Sequence, residues 1–266
     1  MRPLREFPET ARRRIRGVLC DIDDTLTWHD RLPAVAYAAL ERLYEAGLIV
    51  VPITGRPAGW CDAIARHWPV HAVVGENGAF YFRNDRAARR MVRRYWRTEA
   101  QRRADRRRLD RIAGRILAAV PGARIAADQA YREADLAIDF REDVPALGLR
   151  EADRIQAIFE AGGAVAKISS IHVNGWFGDY DKLAMTRALL REVFDCDLDA
   201  HAGEFVFAGD SPNDAPMFAF FPNAVGVANL RQFEDRLTAR PKWLTEGEGG
   251  FGFAELADCL LRGRPA

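Results

Sequence analysis

Gly17-Val18-Leu19-Cys20-Asp21-Ile22 is a short apolar run ending in acid, the pattern of a strand buried on both faces whose carboxyl tip meets solvent. Pro33 then opens a stretch with Val35, Leu40, Leu43 and Tyr44 at helical spacing, closed by Gly47. Residues 48–53 form a second apolar run, Thr54-Gly55-Arg56-Pro57 leads into a helix reaching Trp68, and residues 71–74 give a third strand. Alternating strands and helices of this size predict a parallel sheet covered on both faces. The rhythm then changes. A helix is predicted over 98–120, stopped by Pro121-Gly122, then strands over 123–127 and 136–140, a helix over 149–161, and strands over 165–169 and 171–174. From Asp181 the first rhythm returns, with a helix to Phe194, strands at 205–208 and 224–227, a helix after Pro212, and helices around 230–237 and 252–261 flanking a short segment at Trp243. The fold class is therefore α/β: a Rossmann-like parallel-sheet core interrupted by an α+β insert in αββαββ order. The expected division is core over 1–83, insert over 84–175 and core over 176–266.

Composition narrows the classes. The chain has 266 residues, 48% apolar, and no run of about 18 uninterrupted apolar residues that would predict a membrane helix. Cys20, Cys61, Cys196 and Cys259 lie far apart, arguing against a zinc site or a disulfide framework and for a cytoplasmic setting. The Arg-rich first sixteen residues lack the apolar stretch of a secretory signal and read as a frayed basic lead-in, with a transit peptide as the lesser alternative. The net charge of +1 hides an imbalance: between Arg83 and Arg115 stand 14 Arg against four acids, leaving 25 cations against 34 acids elsewhere.

Ligands of open parallel sheets bind beyond the carboxyl ends of the strands. Those ends offer Asp21, Asp23, Asp24 and Thr25; then Thr54 and Gly55; then Gly209-Asp210-Ser211-Pro212-Asn213-Asp214, with Lys182 at the start of the helix after the insert. Several carboxylates at one edge repel unless a cation lies among them, and Mg²⁺ suits such a set, taking one or two carboxylates while leaving room for a phosphate oxygen. Thr54, Asn213 and Lys182 would hold other phosphoryl oxygens, helped by loop N–H groups. An Asp carboxylate can also act as a covalent nucleophile toward phosphorus, so of Asp21 and Asp23 one would attack and the other move protons. Each motif alone is ordinary turn or cap chemistry; their order, each at a strand tip or helix start, is what points to phosphoryl transfer. Lys182 stands out because only three of the 39 cations are Lys.

These motifs resemble those of the haloacid dehalogenase superfamily of phosphatases. Asp21-Ile22-Asp23-Asp24-Thr25-Leu26 looks like its first motif, Thr54 its second, Lys182 its third and Gly209 to Asp214 its fourth. The insert between the second and third motifs, preceded by Gly75-Glu76-Asn77-Gly78-Ala79, is similar to the type IIB branch that includes Cof-like and sucrose- or trehalose-phosphate phosphatases. The resemblance covers the chain after about residue 16. It implies Asp21 as nucleophile and Mg²⁺ ligand, and Asp23 as general acid/base lending its backbone carbonyl to the metal. Asp210 and Asp214 would complete the metal site, while Thr54, Gly55, Lys182 and Asn213 would bind the phosphoryl group. Two positions depart from the family pattern: Asp24 and Leu183 stand where Gly is usual.

The resulting expectation is a Mg²⁺-dependent phosphomonoester hydrolase working through an aspartyl-phosphate, on a small phosphorylated metabolite such as a sugar phosphate. A phosphomutase would share this chemistry. A nucleic-acid-binding module using the Arg-rich helix is the reading from another class, and nucleic acid and membrane are not the expected partners. His172, Asn174 and Trp176, on the last strand of the insert, are candidates for contacting the leaving group, against a plain packing role; the Arg-rich helix is read as a solvated face.

Overall fold

The computed structural model describes residues 1–264. The first part of the chain runs β1 (Arg2–Pro3), α1 (Glu9–Arg12), β2 (Gly17–Cys20), α2 (Ala34–Glu45), β3 (Ile49–Pro52), α3 (Ala58–His67), β4 (Val73–Gly75), β5 (Phe80–Asp85) and β6 (Arg90–Tyr95). The insert follows as α4 (Glu99–Ala119), β7 (Arg124–Ile125), β8 (Leu136–Asp139), α5 (Leu149–Ala161), β9 (Val165–Ile168) and β10 (His172–Trp176). The chain returns through α6 (Lys182–Phe194), α7 (Leu198–His201), β11 (Phe205–Gly209), α8 (Ala215–Phe220), β12 (Val225–Gly226), β13 (Trp243–Leu244) and α9 (Gly249–Leu261).

The central sheet has the order β1-β13-β12-β11-β2-β3, all parallel. Its central strands β2 and β11 are buried on both faces, as parallel strands between helical layers must be. Val18 and Cys20 of β2 pack toward α2 and α9, where Leu40, Leu43, Phe253 and Leu256 meet them; Leu19 points to the opposite layer with Met185, Leu189 and Met217. Burying each such Leu or Phe contributes about 1.5–3 kcal/mol. On α2 the buried positions Ala36, Ala39, Leu40 and Leu43 recur with the helical period, and that stripe is what seats the helix.

In register Ala208 lies opposite Cys20, and Cys20 opposite Pro52, so β11, β2 and β3 end together at the middle of one edge. The insert has its own antiparallel sheet, order β7-β8-β10-β9, and its own core, in which Leu109, Ile112 and Ile116 of α4 and Ile155 and Phe159 of α5 cover Ile138 and Val173. Alternation along β10 leaves His172, Asn174 and Trp176 on the other face of that sheet.

The structure corrects three expectations. The basic lead-in is not frayed: β1 pairs with β13, Leu4, Phe7 and Ile15 are buried, and the Phe7 ring stacks on Trp243 at 5.1 Å. The density of arginine hid three apolar anchors. The helix expected around 230–237 starts earlier, at Ala228, and is of the tighter 3-10 kind through Arg236. The boundary drawn after residue 83 falls inside β5, because β5 and β6 make a hairpin continuing from β4, pinned to the core by ion pairs of Arg93 with Asp62 and Arg94 with Glu192. Arginines on both faces of β6 erase the apolar alternation that marks a strand.

Among the described residues no helix is long and apolar enough to cross a membrane.

Candidate active site

The common edge of β2, β3 and β11 gathers most of the singled-out residues. Asp21 follows β2 directly, its N–H donating to Ala208 O at 2.9 Å, and it is buried. Asp210 follows β11 in the same way and is fully buried. Asp214 folds back so that its Oδ2 accepts the Asp210 N–H at 3.2 Å. This fold-back needs Gly209, since a β-carbon there would lie 2.4 Å from Asp214 Oδ2. Lys182 opens α6 and projects its Nζ between two acids, 3.0 Å from Asp21 Oδ1 and 2.8 Å from Asp214 Oδ1. The helix start is regular despite Leu183, because Asp181 caps it by accepting the Ala184 N–H at 2.7 Å. Gly78 lets the loop after β4 pass: with φ of 105°, it has Asp181 O where a β-carbon would be.

Asp21, Asp210 and Asp214 each bring a carboxylate oxygen within 4.8 Å of the others. Thr25 Oγ1 donates to Asp210 Oδ1 at 3.2 Å, but Asp210 Oδ2 is buried without a partner. Burial, with Asp214 and Asp23 adding and Lys182 only partly opposing, pushes Asp21 up to about 7. Burial and the neighbouring carboxylates push Asp210 well above the carboxylate range. Burial acts to lower the Lys182 pKa, yet Asp21 and Asp214 outweigh it and the ammonium is held. Three carboxylates against one ammonium leave this pocket short of positive charge. An all-oxygen donor set with an orphaned buried oxygen fits a hard divalent cation such as Mg²⁺.

This has a testable consequence. The ordinary pKa of Asp21 is 3.8 and its folded value about 7, so without metal the folded state holds the extra proton and stability falls as pH rises across that window. Mg²⁺ should therefore raise the Tm more at pH about 8 than at about 5, by mass action on the folded state. Thermal unfolding with and without Mg²⁺ at the two pH values checks this; an equal gain at both would count against the cluster as the binding site.

The other candidates are placed around this cluster. Thr54 is fully buried, its Oγ1 accepting the Arg56 N–H at 3.0 Å, which leaves its hydroxyl proton free to donate. The Gly55 carbonyl accepts Arg132 Nη1 at 2.8 Å. Asn213 takes the Ser211 hydroxyl on its Oδ1 at 2.8 Å and lines the small space in front of Asp21. Asp24 adopts φ of 56°, the left-handed conformation for which Gly is the default and Asp is tolerated; its N–H donates to Thr27 Oγ1 and its carbonyl accepts Asn229 Nδ2. The turn is thus kept without Gly.

Asp23 does not join the acid cluster through its side chain. Its carboxylate is held by Arg56, with Nε at 2.9 and 3.0 Å and Nη2 at 2.8 Å. Arg56 also donates to Glu142 of the insert at 2.8 Å, and Glu142 Oε2 lies 2.9 Å from His172 Nε2. Burial would raise the Glu142 pKa, but His172 and Arg56 outweigh it and pull the carboxyl down to about 2. Asn174 donates to Asp135 at 2.8 Å, while Trp176 stacks on Tyr180 and donates to its carbonyl. Of the three β10 candidates, His172 is therefore tied to the Asp23 chain, Asn174 to a buried insert acid, and Trp176 is a packing residue on the edge of the cavity beside Lys182. Of the α4 arginines, Arg103 pairs with Glu99 and Arg106 with Asp110 along the helix, Arg102 reaches Glu133, and none lines the space in front of Asp21.

Sequence reading missed the residues that seat the insert. Glu76 is fully buried and accepts four backbone N–H groups: Ala58 from α3, and Glu133, Ala134 and Asp135 from the insert, at 2.6–3.0 Å. Burial, with Asp135 nearby, pushes its carboxyl up to about 7. Arg132 is buried between Asp128 and Asp135. Glu76→Ala would strand four donors and should cost about 2–4 kcal/mol of stability, read as a lower urea midpoint.

Residues 18–99 match the family model of haloacid dehalogenase-like hydrolases. The chain carries the haloacid dehalogenase-like fold. A solved Thermoplasma acidophilum protein is similar at 20% identity and a TM-score of 0.68, covering 92% of this chain and 98% of that one. The Synechocystis sucrose-phosphatase, solved with sucrose and phosphate, aligns at 14% identity and a TM-score of 0.62 over 92% of this chain and 98% of that one. The C-terminal domain of Candida albicans trehalose-6-phosphate phosphatase aligns at 14% identity and 0.67 over 94% of each chain. No curated protein matches the sequence.

Proposed function

We propose that the chain is a Mg²⁺-dependent phosphatase that hydrolyses a small phosphorylated metabolite, a sugar phosphate in kind, through a phosphoryl group carried on Asp21. The observation that carries this reading is the triad of Asp21, Asp210 and Asp214 around the Lys182 ammonium, with one buried carboxylate oxygen left without a partner. The match to a hydrolase model over residues 18–99 supports it, as do the sugar-phosphate phosphatases among the fold neighbours.

Asp21, Asp210, Asp214 and the Asp23 carbonyl would hold Mg²⁺. When bound, the ion neutralises the acidic pocket and draws charge from a phosphoryl oxygen. Lys182, the Thr54 hydroxyl, the Asn213 amide and the N–H groups at Gly55 take the remaining phosphoryl oxygens, orienting phosphorus in front of Asp21. An Asp21 carboxylate oxygen forms the new O–P bond as the bond from phosphorus to the substrate alcohol breaks, and Asp23 gives its proton to the departing oxygen. Asp23 then takes a proton from water, which attacks phosphorus and releases inorganic phosphate and free Asp21. Arg56 must give up at least one Asp23 oxygen for either transfer, and Glu142 offers it an alternative partner at 2.8 Å.

The insert acts as a lid over this edge. The space between it and Asp21 is about 10 Å³, room for one water, so this conformation is a closed one. A cytoplasmic setting is compatible with four unpaired cysteines. Release of phosphate from a phosphomonoester panel, dependent on Mg²⁺ and lost in Asp21→Asn, tests the reading; a panel left untouched at millimolar substrate would overturn it.

A further inference from the structure

Beside Lys182 lies a cavity of about 70 Å³ that the chemistry above leaves unused. Asn77, Lys182 and Asn213 wall it from the core, and Lys167 and Trp176 from the insert. Asn213 also lines the space in front of Asp21 and, with Lys167, an outer cavity of about 240 Å³, so it stands where the three meet.

The walls favour an anion. Asn77 is 4% exposed, and its Nδ2 is buried without a partner. Its N–H donates to the Thr54 carbonyl at 3.0 Å, and a β-carbon on Gly55 would lie 3.3 Å from that Nδ2, so the amide is fixed beside the loop after β3. Buried donors are almost always paired in a folded protein, and an orphan facing a cavity marks a place for an acceptor. Asn213 turns its Oδ1 to the Ser211 hydroxyl, which leaves its amide protons to donate. Lys167 stands opposite Asn174 on β9; its neighbour Ala166 packs into the insert core, so alternation puts Lys167 on the other face of the sheet. Lys182 is held by Asp21 and Asp214, whereas Lys167 pairs with no acid among the described residues. The single acid on the cavity wall, Asp181, is exposed and caps α6, and no acid lines the outer cavity.

The phosphoryl group under attack does not need these donors, since Lys182, Thr54, Asn213, the Gly55 N–H groups and the metal already serve its oxygens. The geometry points to a second oxyanion subsite, made by Asn77 and Lys167 with Asn213 between it and Asp21, that takes a carboxylate or a second phosphate carried on the alcohol half of the substrate. The proposal rests on the phosphatase reading and names, within it, the preferred esters: those whose leaving group bears a second anionic group. The space of about 10 Å³ in front of Asp21 admits no phosphoryl group while the lid is seated, so the ester enters with the lid raised. Asn77, on the core, waits in place; Lys167, carried on the insert, meets the second anion as the lid seats. That charge-assisted contact favours closure over an anionic ester more than over its neutral analogue.

Two matched pairs of esters test this with Mg²⁺ present: phosphoglycolate against 2-hydroxyethyl phosphate, and propane-1,3-diol bisphosphate against its monophosphate. The wild type should favour the anionic member of at least one pair by about tenfold or more in kcat/KM, the scale of one charge-assisted hydrogen bond. Which pair responds tells a carboxylate from a phosphate. Lys167→Met, at an exposed strand position, should erase that preference while kcat/KM for the neutral member stays within about twofold, and Lys167→Arg should keep part of it. Asn77→Gly suits the φ of 55° at this position and should also lower kcat/KM for the anionic ester. Equal use of both members in both pairs, or a preference that survives Lys167→Met, overturns the subsite and leaves the phosphatase standing. A wild type that hydrolyses other phosphomonoesters but neither anionic ester does the same. Failure to release phosphate from any phosphomonoester defeats the phosphatase reading, and this proposal with it.

Discussion

Asp21→Asn should lower phosphatase turnover by at least about 10³-fold while the protein stays folded. The amide has nearly the shape of the carboxylate but cannot carry the phosphoryl group. Its effect on stability should run the other way from an ordinary buried substitution. Above pH about 7 Asp21 is ionised in a pocket that resists ionisation, its carboxyl pushed up to about 7 by burial and by Asp214 and Asp23. Asn removes that penalty, while Lys182 keeps Asp214 at 2.8 Å. In metal-free buffer above pH about 7 the variant should therefore unfold no earlier than the wild type. The gain in Tm from Mg²⁺ should shrink, since one of three carboxylates is gone. Steady-state kinetics together with thermal unfolding separates loss of a nucleophile from loss of fold: an inactive variant that also melts early would mean that Asp21 is structural.

Lys182→Met should do the reverse and strike stability hardest. The ammonium is the one cation touching Asp21 and Asp214 among the described residues, and it is buried with both of them. Removing one member of a buried ion cluster leaves uncompensated charge and typically costs about 3–5 kcal/mol. The loss should be greatest in metal-free buffer at high pH, where the acids are ionised, and Mg²⁺ should return part of it. Turnover should fall as well, because a phosphoryl oxygen loses its counter-charge. Urea unfolding of the metal-free variant is the measurement. A midpoint equal to that of the wild type would mean that the three carboxylates do not need the ammonium, contrary to the electrostatics described above.

The parts of this site that were legible in the sequence are those whose signal is local. Asp21, Thr54 and Asp210 follow apolar runs, and a parallel sheet brings such tips to one edge whatever else the chain does. Lys182 was visible through the rarity of lysine. The αββαββ insert was readable because α4 and α5 carry apolar residues at helical spacing and short apolar runs follow each of them, and the two-residue repeat of a strand put His172, Asn174 and Trp176 on one face of β10. What stayed hidden depends on partners far along the chain. Arg56 and Glu142 are 86 residues apart, and Glu76 is 57–59 residues from the insert N–H groups that it accepts. A single charged residue in a loop has no periodicity, so only the fold reveals that these bind lid to core. Asp24 shows the opposite case: it stands where Gly is usual, yet the chain keeps the left-handed turn by using a residue that tolerates it.

The central claim is that Asp21 itself carries the phosphoryl group. Asp23→Asn, which slows the water attack that clears it, should let the covalent species build up with a reactive donor such as phenyl phosphate and Mg²⁺. Acid quenching, borohydride reduction of the acyl phosphate and peptide mass spectrometry should then find Asp21 converted to homoserine. Conversion at Asp210 or Asp214 in place of Asp21, or no conversion while turnover proceeds, would contradict the account.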